Sequence, residues 1–410
     1  MKRYVIIGNG VAAARCIEGI RSVDLSGEIT VVSEENRAVY CRPLISYYLE
    51  GKTDLVRMRY REEGFYNRMD CKVLYGRRAT HIHKDLKEVE LDDGRGLSYD
   101  ALCLATGSAP FVPPFKGLET VPQRFSFMTL DDALSLEKAI EKTSRVLIVG
   151  AGLIGLKCAE GIRERVESVT VCDLADRVLS SILDADCASM MQRRLEEHGI
   201  SFLLGDSAER FEGNRACMTS GKTVDFDVLV LAVGVRANTA LLREIGGAVN
   251  RGILVDENMK TSVEQIYAAG DCTEGWDLSA GQNRVLAILP NASLQGFTAG
   301  VNMAGGFLKF EKGMPLNSIG FFGLHAMTAG SYEGEFYEEK TETSLKRLFT
   351  KDDLLKGFIL IGCEERAGIY TSMIREKTPL SSVDFDLMKQ GATTAAYSAV
   401  ERRKKFGGMV

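Results

Sequence analysis

The sequence predicts an α/β protein with two dinucleotide-type βαβ units of the Rossmann-like kind and a smaller α+β region towards its C-terminal end. Three observations predict it. Two separate segments share one pattern: an apolar strand, a glycine-rich turn, a helical stretch, a second apolar strand and an acid. The 410 residues exceed what one compact core organises and point to about three domains. Apolar residues make up 45% of the chain and charged residues 26%, the balance of a packed globular protein rather than a disordered one.

In the first unit the apolar run Tyr4–Ile7 leads into Gly8, Asn9, Gly10, Val11, Ala12 and Ala13, and Ile29–Val32 is followed by Glu34 and Glu35. In the second, Arg145–Val149 leads into Gly150, Ala151, Gly152, Leu153, Ile154 and Gly155, and Val169–Cys172 is followed by Asp173. The first glycine of such a turn permits its tight bend, and the second lets backbone amides approach a pyrophosphate. The third position must be small for helix and strand to pack, and Ala13 meets that requirement by size alone. The helix that follows directs a partial positive charge at the phosphates, while the acid accepts hydrogen bonds from ribose hydroxyls. A lone glycine turn also fits a loop that binds nothing. Two complete copies, each with an acid about 20 residues on, argue for two nucleotide sites. Asp173 would repel a 2'-phosphate and favours NAD over NADP at the second, although Arg177 four residues on pulls the other way.

The remaining composition narrows the function. A net charge of -5 gives no basic surface for nucleic acid or an anionic membrane. The one basic run, Arg402–Lys405, reads as a solvated helix end or tail. No stretch approaches the ~18 apolar residues of a membrane helix or the pattern of a signal peptide, so a cytoplasmic location is expected. The ten cysteines contain no Cys-x-x-Cys or Cys-x4-Cys spacing. A redox dithiol, a zinc ribbon and a cysteine-held iron–sulfur cluster are therefore not expected. His81 and His83 alternate on what reads as a strand, and no metal site is expected there.

Further motifs carry a resemblance. They are Tyr40-Cys41-Arg42-Pro43-Leu44 with Tyr48-Leu49-Glu50-Gly51, Ala105-Thr106-Gly107-Ser108, Ala232-Val233-Gly234, and Ile266-Tyr267-Ala268-Ala269-Gly270-Asp271. With the glycine turns, they make the chain resemble the FAD-dependent pyridine nucleotide-disulfide oxidoreductases over nearly all residues to about 330. The similarity is greater to the NADH:rubredoxin reductase and nitrite reductase flavin-domain branch. It implies FAD at the first unit and NAD(H) at the second.

It also implies roles. Asp271, expected near the start of a following helix, would bond the flavin ribityl chain, with Gly270 letting the backbone come close. Ala105, Thr106 and Gly107 would form the crossover beside FAD, and Val233 and Gly234 its echo beside the nicotinamide nucleotide. Arg42 and Pro43 would lie along the pyrophosphate and flavin ring, and Ala79 joins the cofactor-binding positions. A helix from Pro290 would aim its N-terminus at the flavin pyrimidine and stabilise charge there.

The implied layout is a discontinuous FAD domain at 1–112 and 240–312, an NAD domain at 113–239 inserted in it, and a C-terminal α+β interface domain at 313–410, consistent with a homodimer. Pro110, Pro113 and Pro114 mark the first junction. Gly357–Gly362 and Ser344–Phe349 read as antiparallel strands.

The chemistry implied is hydride transfer from NADH to FAD, then electron transfer to a small carrier such as rubredoxin or ferredoxin. One departure stands out. In relatives a lysine after the Arg-Pro segment pairs with a glutamate two residues past the third glycine of the NAD motif; here those positions hold Tyr47 and Lys157. Lys157 either reaches the flavin and favours its anionic reduced form, or faces solvent. An NADH oxidase, peroxidase or disulfide reductase would need Cys41 as its reactive thiol, with Arg42 to favour the thiolate. However, the redox cysteine of those relatives falls nearer Pro43, which favours a structural Cys41. A redox sensor that holds FAD and NAD without turnover is the remaining alternative.

Overall fold

A computed structural model describes residues 1–406, with side chains as far as Arg403, so Lys404 and Lys405 of the basic run lie outside the described side chains. Five parallel strands form the first sheet, in the order Ile266–Ala268, Ala101–Leu104, Arg3–Ile7, Glu28–Ser33 and Cys71–Tyr75. The second is also parallel, ordered Ile200–Leu204, Ser168–Asp173, Arg145–Val149, Val228–Leu231 and Arg124–Phe125. Ala101–Leu104 and Val228–Leu231 are buried along their whole length, as strands covered on both faces must be. Their continuous apolar runs leave no alternation, and this follows from that double covering.

Glycine sets how closely the first unit packs. The helix Val11–Arg21 crosses the helix Leu289–Met303, and a Cβ added at Gly296 or Gly300 would come within 2.1 Å of the Ala12 or Cys16 carbonyl oxygen. Gly19 makes the reciprocal approach to the Phe297 carbonyl, at 2.4 Å. The two backbones touch without intervening side chains. As a result, the N-terminal turns of both helices converge on one end of the first sheet.

The C-terminal region is an antiparallel sheet ordered Leu316–Phe321, Leu324–Gly330, Leu354–Ile361, Leu345–Lys351 and Glu335–Lys340. Both strands expected here are present. Its side chains divide by the two-residue period of a strand. Leu348, Phe358 and Leu360 pack with helices Ala367–Arg375 and Phe385–Gln390. Phe321, Leu345, Phe349, Ile359 and Ile361 instead join the core beneath the second nucleotide unit. Burying each such side chain is worth about 1.5–3 kcal/mol, so the sheet is held to that unit by a shared core. Arg347 adds a polar clasp, its guanidinium meeting Asp184 and Glu338, with Asp186 3.5 Å away.

One expectation is corrected. Asp271 does not open a helix: the chain continues into the strand Thr273–Asp277, and the next helix starts only at Leu289. Thr273, Glu274, Gly275 and Asp277 are all buried, and the strand pairs with Ile253–Leu254 on one side and Gln282–Arg284 on the other. Sheet burial therefore outweighs the capping tendency of the aspartate. No helix among the described residues is long and apolar enough to cross a membrane.

Candidate active site: two nucleotide cradles and their junction

The two glycine turns are built alike. Gly8 and Gly150 have φ values of +108° and +118°, a region open to glycine but strained for other residues. A Cβ at Gly8 would lie 2.1 Å from the Ala105 carbonyl oxygen, and one at Gly150 would lie 2.3 Å from that of Ala232. The backbone of each crossover segment thus presses directly on the first glycine of its turn. Gly155 packs as closely on the Gly150 carbonyl, at 2.0 Å. Ala13 is fully buried.

The middle glycines behave oppositely. A Cβ at Gly10 or Gly152 meets nothing within 4 Å. Both sit at the N-termini of helices, Val11–Arg21 and Leu153–Ile162, whose first amides have no side-chain cap. Open space beside uncapped, electropositive amides is what a pyrophosphate requires. FAD and a nicotinamide dinucleotide fit these turns on that ground. A buried acceptor without a partner adds to the fit: Asn291 Oδ1, on the first turn of Leu289–Met303, accepts no hydrogen bond, while Asn291 Nδ2 donates to Met314 at 3.1 Å.

At the first cradle the two acids differ. Glu34 is exposed and makes no hydrogen bond among the described residues. Glu35 is engaged, accepting from Tyr40 Oη at 2.8 Å and pairing with Arg42 at 2.5 Å. The structure therefore brings Glu35 and Arg42 together. Burial pushes the Asp271 carboxyl up, and the charge of Arg42 offsets only part of that rise. Gly270 is fixed through its N–H, which donates to Gln295 Oε1 at 2.8 Å. Ala79 is buried at the start of the strand Ala79–His83, two residues past Arg77, whose N–H bonds the Ser33 carbonyl. Val11 and Ala12 are buried, and Pro43 is exposed.

At the second cradle Asp173 closes the turn. Its Oδ2 accepts from Ala151 N–H at 2.7 Å and its Oδ1 from Ala175 N–H at 2.8 Å. Arg177 is tied down, pairing with Asp176 and donating to the Leu183 carbonyl. Leu153, Ile154 and Val233 are half-buried around the turn, and Gly234 is exposed. The two crossovers run side by side: Ser108–Pro110 pairs antiparallel with Val235–Ala237, and Thr106 and Asn238 exchange hydrogen bonds of 2.8 Å. The cradles are thereby locked to each other.

Tyr47 and Lys157 meet where the helix Ile45–Leu49 packs on the helix Leu153–Ile162. The Lys157 ammonium lies 4.6 Å from the Tyr47 ring centroid and 5.2 Å from that of Phe321. It donates to the Gly320 carbonyl at 3.0 Å and pairs with Glu160 one turn along. Its side chain is only 18% exposed, so it does not face solvent. Cys41 is half-buried, and burial pushes its thiol up. Its neighbour Arg42 is committed to Glu35, so the local charge does not favour a thiolate.

Several residues here escaped sequence reasoning. Asn9 receives Tyr66 Oη at 2.6 Å and donates to the Arg37 carbonyl, while Arg37 pairs with Asp131 across the two units. Glu160, Gln295 and Asn238 belong here as well. For Gln295 a signal existed, since Gly296 and Gly300 beside it mark a helix face in close contact. Asn9 lies inside the first glycine turn, where the motif reads only the glycines, and Glu160 and Asn238 lie in no motif.

The fold and paired cradles define a two-nucleotide flavin oxidoreductase. Residues 2–296 match the pyridine nucleotide-disulphide oxidoreductase family, and the chain belongs to it. It is accordingly an enzyme of the class that uses FAD and NAD(P)H. It is 33% identical over 394 residues to the NADH-dependent phenylglyoxylate dehydrogenase subunit epsilon of Aromatoleum evansii, covering 92% of this chain and 93% of that protein. It is 31% identical over 401 residues to an NADH oxidase of Methanocaldococcus jannaschii, covering 89% and 88%. Among solved structures, putidaredoxin reductase in its covalent complex with putidaredoxin superposes with a TM-score of 0.87 at 22% identity, over 100% of this chain and 99% of that one.

Proposed function

We propose that the chain takes hydride from NADH at the second cradle onto FAD held at the first, and passes the electrons to a small one-electron carrier protein of rubredoxin or ferredoxin type. The observation that carries the reading is the pair of open middle glycines, Gly10 and Gly152, in turns whose first glycines abut two crossovers locked together through Thr106 and Asn238. When bound, FAD accepts hydride and can release electrons singly or in pairs.

The residues divide the remaining work. Amides at Gly10–Ala13 and Gly152–Gly155 hold the two pyrophosphates, with Arg42 adding charge at the first. Glu34 is free to take an adenosine ribose, because Glu35 is held by Tyr40 and Arg42. Asp271 would take ribityl hydroxyls, and the N-terminal turn at Pro290–Asn291 would stabilise negative charge on the ring system. Asp173 selects NADH, since its carboxylate repels a 2'-phosphate and Arg177 is engaged elsewhere. Lys157, at the junction, favours reduced anionic flavin by its charge.

A small carrier is favoured over a disulfide because the cysteines hold no dithiol spacing and Cys41 is kept protonated by burial. A reductase of this fold has been solved bound to a redoxin, which supports the same choice. A second reading has its own support in the near full-length match to a dehydrogenase subunit: the chain would run in the opposite direction, returning electrons from a larger assembly to NAD+.

Anaerobic titration with NADH tests the reading. Flavin should bleach within one equivalent, and rubredoxin or ferredoxin should then reoxidise it faster than oxygen, peroxide or disulfides do. Purified protein that takes up no flavin would overturn the reading. NAD+ reduction by reduced ferredoxin outpacing the forward direction would favour the second.

A further inference from the structure

We infer that Glu160 is the positioning residue for Lys157, and that it works by tying the second-cradle helix to the turn Phe321–Phe322 of the C-terminal sheet. The inference rests on the reading above that Lys157 acts on the flavin.

The place itself follows from the chain. Tyr47 lies five residues beyond Arg42, which pairs with Glu35 at the first cradle. Lys157 lies on the helix that opens at Gly152 of the second. Their contact therefore falls where the segment leaving one cradle meets the helix rising from the other. The helix Ile45–Leu49 packs on that helix so closely that a Cβ at Gly161 would lie 3.0 Å from the Ser46 carbonyl oxygen.

Glu160 is 6% exposed and its two oxygens are divided. Oε2 pairs with Lys157 Nζ, and Oε1 accepts the Phe322 N–H at 2.7 Å. The same turn returns the contact, since Gly320 supplies the carbonyl that Lys157 donates to and Phe321 supplies a ring. The turn is fixed from behind as well. Phe322 has a φ of +47°, its carbonyl accepts from Arg194 at 2.6 Å, and its ring stacks on His198 at 4.2 Å. A side chain with four rotatable bonds is thus held by a carboxylate, a carbonyl and two rings, contributed by all three regions of the fold. A second pair, Lys52 with Glu50, also stands beside Tyr47, with Lys52 Nζ 5.9 Å from its centroid.

A double-mutant cycle on the flavin-loaded protein tests this, with the reduction equilibrium read against a redox dye of known potential. Lys157→Gln, which keeps a donor for Gly320, should disfavour reduced flavin about tenfold, ~30 mV for a two-electron couple. Glu160→Gln keeps the acceptor for Phe322 but loses the ion pair. It should move the equilibrium by about threefold or more in the wild-type background and not at all when Lys157 is already Gln. Hydrogen exchange across residues 316–330 reports whether the turn stays anchored. Glu160→Asp, with the charge kept but the reach shortened, serves if the Gln variant loses that anchoring. Equal effects of Glu160→Gln in both backgrounds, or none in either, would overturn the inference and leave the role of Lys157 standing. An unchanged potential in Lys157→Gln would overturn both, while failure to bind flavin in the parent protein would count against the proposed function itself.

Discussion

The ammonium of Lys157 sits 4.6 Å above the ring of Tyr47, joining the segment that leaves one nucleotide cradle to the helix that opens from the other. A cation over an aromatic face is worth about 0.5–2 kcal/mol, more when water is excluded. At 18% exposure Lys157 is well placed for the upper part of that range. Tyr47→Leu should therefore cost about 1.5–2 kcal/mol in urea unfolding, and Tyr47→Phe nearly nothing, because the ring and not the hydroxyl makes the contact.

Gly8 and Gly10 are two residues apart and should respond in opposite ways. Gly8→Ala places a Cβ 2.1 Å from the Ala105 carbonyl oxygen at a φ of +108°, and should cost about 3 kcal/mol or more of stability. Gly10→Ala points into open space. It should leave the melting temperature of the flavin-free protein close to the parent's, while the ratio of flavin to protein absorbance on purification falls steeply.

Asp173→Asn should weaken NADH more than NADPH. A charged acceptor is worth about 1.5–3 kcal/mol to its donors, so KM for NADH should rise roughly tenfold or more. The loss of repulsion offsets part of that for NADPH. The ratio of kcat/KM values for the two nucleotides measures the shift, and an unchanged ratio would remove Asp173 from nucleotide selection.

Cys41 should behave as a buried thiol. Burial raises it above the ordinary cysteine value, so at pH 7.5 iodoacetamide should label it more slowly than free cysteine, with labelling accelerating only in alkali. Cys41→Ser should retain NADH-driven flavin bleaching. Loss of bleaching in that variant, or trapping of a sulfenate at Cys41, would instead support oxidase or disulfide chemistry.

Acid stability should carry a signature of Asp24. The amides of Ser26 and Gly27 and the Tyr4 hydroxyl hold its pKa at about 2, below the ordinary 3.8. A folded value below the unfolded one gives stability that is present above about pH 4 and lost as pH falls towards 2. Asp24→Asn should be less stable at neutral pH and show a shallower loss across that window in pH-dependent urea unfolding.

Much of this molecule was legible in its residues. The two glycine turns, their strands and their acids follow from local rules. A βα turn that approaches a phosphate needs glycine at fixed spacings, and a strand buried on both faces must be apolar throughout. The Arg42, Asp271 and crossover motifs were legible by resemblance. The placement of Asp271 before a helix failed because a buried strand at Thr273–Asp277 won the local competition.

What only the tertiary structure decided are the contacts between residues far apart in sequence. Nothing near Glu35 announces that Tyr40 and Arg42 hold it and leave Glu34 free, nor does anything near Lys157 announce Glu160, Gly320 and Phe321 as its surroundings. Sequence by itself determined the elements and their nucleotide-binding ends, because those depend on backbone geometry within a few residues. The junction between the cradles depends on how three sheets pack, and so on which side chains burial forces together.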